Sequence, residues 1–180
     1  LAGDVAISAV EEYRLLRTQA DQISARLLEI HGREIVCRAG CTDCCQNLTV
    51  WPVEFYTVLE DLRAAGYSHL VFDESASCGF LKDGLCQIYP FRPLICRTHG
   101  LPIAFETETA EKPEIAVSFC PKNFQNWEQK GLTFGPDNTL QIDRLNEQLS
   151  QIHLRFLEES GDKSLTVNSR IELKRLAQLL

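Results

Sequence analysis

Residues 37–45 read Cys37-Arg38-Ala39-Gly40-Cys41-Thr42-Asp43-Cys44-Cys45, four cysteines in nine positions. Gly40, Thr42 and Asp43 favour turns over a helix or strand, so residues 35–49 are predicted to form a loop. Small residues between the cysteines let several thiols converge on one point. Cys78, Cys86, Cys96 and Cys120 follow, and neither flank of the chain carries a cysteine. Cysteines used as small apolar core residues would scatter along helices instead. The clustering predicts an irregular, cysteine-rich centre between helical flanks.

Outward from that centre, Val10, Tyr13, Leu16, Ala20, Ile23, Leu27 and Ile30 recur every three or four residues. That is one face of a helix, with Gly32 as its stop. Arg14, Arg17 and the neighbouring acids fall off the stripe. Pro52 suits the first turn of a second helix that Gly66 ends. Cys78 to Tyr89 reads as a hairpin turning at Asp83-Gly84. Leu94 to His99 predicts one helical turn, residues 106–114 a solvated loop, and Ile115 to Phe119 a strand. Asn138 to Leu157 predicts an amphipathic helix through Leu145, Leu149, Ile152 and Phe156. Asn168 or Ser169 would cap a last helix carrying Ile171, Leu173, Leu176, Leu179 and Leu180. The fold class is mainly α with a short β-hairpin, a small α+β protein. It is read as a single domain over 1–180, with the cysteine core at about 35–122 and flanks at 1–34 and 123–180.

The chain has 180 residues, 44% apolar, with no Met and a formal charge of −7. This balance disfavours nucleic acid as a partner. No apolar run is long enough for a membrane span. The chain opens at Leu1 rather than Met, so its start is expected upstream, and no signal peptide is visible. Reduced thiols place the protein in the cytoplasm.

Three chemistries compete for the eight cysteines. A disulfide framework suits chains too small for a core, and this chain is not. Nucleophilic or redox thiols need one or two cysteines beside a His or a helix start. Metal ligation fits the crowding best, making the centre a metal-binding one with Cys37, Cys41, Cys44, Cys45, Cys78, Cys86, Cys96 and Cys120 as ligands. The hairpin would bring Cys78 and Cys86 together, and Cys45 would link them to the loop of Cys37, Cys41 and Cys44. Eight thiols suffice for two four-thiolate sites, or for one site with spare ligands. Lys82, Arg92 and Arg97 face only one acid, Asp83, between Cys78 and Gly100, in a chain of net negative charge. Arg92 and Arg97 flank Cys96 and either donate to thiolate sulfur or pair with surface carboxylates. His99 is the first candidate for an acid–base or reserve-ligand role, followed by Asp43 and Tyr89. His31, His69 and His153 read as ordinary surface or helix-end residues.

Four blocks resemble the CxxCxxCC zinc- or iron-chelating family, the YkgJ-type cysteine-cluster proteins. They are Cys37 to Cys45, Cys78 to Tyr89, Arg92-Pro93-Leu94-Ile95-Cys96-Arg97 and Cys120-Pro121. The first gap holds three residues where the family's name has two. The resemblance implies metal binding, and through flagellin lysine N-methylases it offers an enzyme as the alternative. Irregular spacing, adjacent Cys44 and Cys45, and the Cys120-Pro121 ending favour an iron–sulfur cluster, [4Fe–4S], over zinc. The sequence names no protein partner.

Overall fold

Ser8 opens the first helix, its hydroxyl accepting from the Glu11 N–H at 3.3 Å. In this computed structural model, which describes residues 7–107 and 114–180, helix α1 runs Ala9–His31 and ends at Gly32, φ 51°. Tyr13, Leu16, Ala20 and Leu27 are buried along the predicted stripe, while Ile30 is exposed at its end. Arg17, placed off the stripe by periodicity, is buried too. Its guanidinium pairs with Asp61, which also takes Arg14 Nε at 2.8 Å.

Asp61 lies on helix α2 (Pro52–Ala64), which begins at the predicted proline. The Glu54 carboxylate accepts from the Trp51 N–H at 3.2 Å, the Tyr13 hydroxyl at 3.0 Å and the Leu94 N–H at 3.2 Å. One buried carboxylate thus joins α1, α2 and the start of helix α3 (Leu94–Thr98). Burial pushes its pKa up against these donors, which favour the charged form.

Strands β2 (Leu81–Lys82) and β3 (Leu85–Cys86) form the predicted hairpin. Asp83 (φ 52°) and Gly84 (φ 76°) make its turn. Strands β4 (Ile103–Thr107) and β5 (Glu114–Ser118) pair antiparallel, and β6 (Leu140–Gln141) joins β4 in parallel. Glu106 and Glu114 therefore sit in strands rather than in a loop; the rest of that predicted loop, residues 108–113, lies outside the described residues. Helix α4 (Ile142–Ser160) starts four residues later than its pattern indicates, because Leu140 is taken into the sheet.

The last segment is not one helix. Strand β7 (Ile171–Glu172) pairs with β1 (Thr49–Val50), then a 3₁₀ turn leads to α5 (Leu176–Leu179). Two apolar clusters result. One joins α1, α4 and Phe124; the other joins α2, the hairpin residues Phe80 and Ile88, and the C-terminal segment. Among the described residues no helix is long and apolar enough to cross a membrane.

Candidate metal centre

Two tight turns shape the loop of the first four cysteines. The Cys41 N–H bonds to Arg38 O at 3.0 Å, and the Cys45 N–H to Thr42 O at 2.9 Å. Gly40 takes φ 86°, which a side chain would strain. The hairpin carries Cys86 on β3 and has Cys78 at its base, where Cys78 O accepts from the Leu81 N–H at 3.0 Å. Cys96 lies in α3, and Cys120 follows β5. All eight are free thiols; Cys37 is exposed and the others are half-buried.

The thiols lie near enough to act on one another. Burial pushes the Cys44 thiol up in pKa, and the charges of Cys37, Cys41 and Cys120 add to the rise. Burial also pushes Cys45 up, to about 11, but its thiol neighbours beyond Cys44 are Cys78 and Cys86. Cys96 is pushed to about 12, chiefly by burial, with Cys86, Cys78 and Cys45 beside it. Cys86 rises by burial, with Cys78 facing it. The adjacent thiols of Cys44 and Cys45 are hydrogen-bonded to each other, and Cys45 also stands near Cys78 and Cys86.

Two asparagines that the sequence reading passed over hold these segments. Asn123, 1% exposed, accepts from the Val36 N–H at 2.9 Å through Oδ1. Its amide donates to Gly100 O at 2.6 Å and lies 3.4 Å from Cys37 Sγ, while its own N–H bonds to Cys120 O at 2.8 Å. A Cβ at Gly100 would lie 2.9 Å from Cys37 Sγ, on a backbone already at φ 87°. Asn47, two residues past Cys45, bonds to Ser77 O through its N–H at 2.8 Å and accepts from the Gly79 N–H at 2.9 Å. These bonds grip both sides of Cys78. A buried Asn wedged among backbone groups has no sequence pattern of its own.

Arg92 stacks on Tyr89, Cζ 3.6 Å from the ring centroid, and donates to Cys96 O at 3.2 Å. Its charge acts on Cys86 and Cys96. Arg97 turns away, to Asp21 at 2.5 Å and to Arg92 O at 2.7 Å. Lys122 pairs with Asp43 and stands near Cys41 and Cys120. It is a cation that the sequence reading did not single out. His99 closes α3 half-buried, and desolvation lowers its pKa. Its backbone borders Gly100 and hence Cys37. His153 is not a surface residue: it is 2% exposed and stacked on Trp51 at 5.2 Å.

Among the described residues no three Cys, His, Asp or Glu side chains already close around one point. Ligation therefore requires the thiols to draw together. Free, soft thiol donors with Arg92 and Lys122 beside them suit zinc or iron–sulfur rather than magnesium or calcium. This is the donor chemistry of a cysteine-rich chelating domain. Residues 36–121 match the CxxCxxCC family model, described as a "putative zinc- or iron-chelating domain". The match ends one residue inside each limit of the core read from the cysteines. No curated protein and no solved structure matches the chain.

Proposed function

We propose that the protein is a metal-binding cysteine-cluster protein in which all eight thiolates are ligands. Residues 35–122 are then the metal-organised centre of a single domain, serving a structural, redox or metal-handling role. The observation that supports this most is that the four free thiols of residues 37–45 have thiols remote in sequence, Cys78, Cys86 and Cys120, as neighbours. Iron–sulfur is the preferred centre, because three cysteines in one loop with a remote Cys-Pro is a ferredoxin-like donor pattern. Zinc is the second reading, since four thiolates make a closed structural zinc site. Metal bound here would neutralise and order the thiols, and Arg92 and Lys122 would offset the negative charge left on them.

Anaerobic purification followed by an absorption spectrum, elemental analysis and sulfide assay tests this. A brown protein with iron and acid-labile sulfide is expected. A colourless one with stoichiometric zinc replaces the preferred centre by the second. Neither metal in stoichiometric amount overturns metal binding.

A further inference from the structure

A groove runs between α1 and α4, and no cysteine lines it. It encloses about 360 Å³, within the range of about 300–1,000 Å³ that suits small organic ligands. Ile23, Arg26 and Leu27 line it from α1, and Arg144, Leu145 and Gln148 from α4. Leu27 and Leu145 are buried and Ile23 is half-buried, so the floor is apolar. Residues 136–139 close one end, and hydrogen bonds hold that wall in place. Buried Thr139 donates to Gly135 O at 2.7 Å and accepts from Gln141 Nε2 at 2.8 Å. His31 Nε2, at the end of α1, donates to Asn138 O at 2.7 Å.

The charges in the groove are handled differently from those elsewhere on the helices. Arg14, Arg17, Arg97 and Arg155 each pair with a carboxylate. Arg26 and Arg144 line the groove from opposite helices, both exposed, and among the described residues neither side chain makes an ion pair or a hydrogen bond. Arg144 also lies in the first turn of α4, where the helix dipole disfavours a cation. Its neighbour Asp143 is engaged elsewhere, accepting from the Glu106 N–H at 2.8 Å. Asp137, the one acid in the lining, pairs with neither arginine.

We propose that this groove binds a small carboxylate with an apolar body, its oxygens held between Arg26 and Arg144 and its body on Ile23, Leu27 and Leu145. A guanidinium presents paired N–H donors that match the two oxygens of a carboxylate. A bare inorganic anion would leave the apolar floor wet, and a neutral apolar ligand would leave both arginines unpaired. The groove is lined by none of the thiols, so the proposal stands whether or not they bind metal.

Octanoate is the probe, titrated by calorimetry into the full chain, with octanol and inorganic phosphate for comparison. Octanoate should bind once per chain, and the amide shifts it causes should map to residues 19–27 and 136–148. Arg26→Gln and Arg144→Gln should each weaken it about tenfold, as the loss of a hydrogen bond to a charged group does. Asp137→Asn removes a like charge and should tighten it. All three positions are exposed, and circular dichroism checks that each variant folds. Octanol should bind more weakly than octanoate and equally to the parent and the arginine variants. No octanoate binding to the parent, unchanged affinity in both arginine variants, or shifts that map elsewhere overturns the proposal. Octanol or phosphate binding as tightly as octanoate overturns it too, the first leaving only an apolar groove and the second only an anion site.

Discussion

At the scale of single residues, Asn123 has the most consequence for the centre. Replacing it by Ala removes the half-buried bonds to the Val36 N–H and the Gly100 carbonyl and frees the Cys37 sulfur. A hydrogen bond contributes about 0.5–1.5 kcal/mol net, so Asn123→Ala, which loses two, should lose about 1–3 kcal/mol of stability. Denaturant unfolding of the metal-loaded protein reads this, and metal per chain should fall with it. His153 makes a different prediction. It is packed between Trp51 and the apolar interior; neither ring nitrogen has a partner of ordinary geometry, though the Thr166 backbone faces the ring. Burial holds its pKa below the usual histidine value, and the Arg170 charge, stacked over Trp51, lowers it further. The unfolded chain then binds a proton that the folded one refuses. His153 therefore favours folding above its unfolded pKa of 6.5, and that contribution is lost as pH falls below it. Unfolding midpoints of parent and His153→Phe, compared from pH 7.5 down to pH 5, should show a shallower decline in the variant. Parallel curves would mean that His153 does not set the acid limb.

Among elements, the hairpin has the most direct bearing on the ligands. Its Asp83-Gly84 turn holds two consecutive positive φ angles, 52° and 76°. An L side chain at a left-handed position costs about 1–2 kcal/mol, more if β-branched. Gly84→Val should therefore loosen the register that pairs Leu81 with Cys86 and lower the metal content, while Gly131→Val, at φ 64° on a loop away from the cysteines, should not. Metal per chain for both variants distinguishes the turn from a general strain effect. This hairpin was legible because its signal is local: two turn residues of the required type between short apolar runs. So were α1, with its long stripe and Gly32, and the proline start of α2. The pairing of β1 with β7 was not. Each strand is two residues long, and Val50 meets Ile171 from the far end of the chain. Leu173, Leu176 and Leu180 do keep helical spacing, which drew Ile171 into the same reading. Yet buried Ile171, exposed Glu172 and buried Leu173 alternate as a strand does. The late start of α4 has the same origin: Leu140 satisfies the helix pattern, but its N–H bonds to Pro102 O at 2.8 Å. Of the site, the ligand candidates were legible from residue type and crowding; the clamps Asn47 and Asn123, and the turn of Arg97 away to Asp21, were not, since they depend on backbone groups brought together only by the fold.

Across the whole molecule, the loop of the first four cysteines contributes no residue to either apolar cluster, whereas the hairpin of Cys78 and Cys86 packs on the second. The first cluster joins α1 to α4 through Leu16, Ala20, Leu145, Leu149 and Ile152; the second joins α2 to the C-terminal segment through Val58, Leu62, Leu173 and Leu176. Asp61 pairing with Arg14 and Arg17 clamps α1 to α2 directly. None of these contacts requires metal. Residues 37–47 have no strand or helix, and their bonds are isolated turns, the Asn47 clamp, the Asn123 contact at Cys37 and the Lys122–Asp43 pair. A segment so poor in buried apolar contacts opens at a free energy well below that of the packed helices, unless ligand bonds hold it. Stripping the metal should therefore act on part of the fold. Far-ultraviolet circular dichroism should keep most of its helical signal, while limited proteolysis should cut first within residues 37–47. Restoring metal before the protease should protect those bonds. Cleavage that begins equally in α1 or α4 would show that the helices depend on the centre, and an unchanged pattern would show that the centre stands without metal.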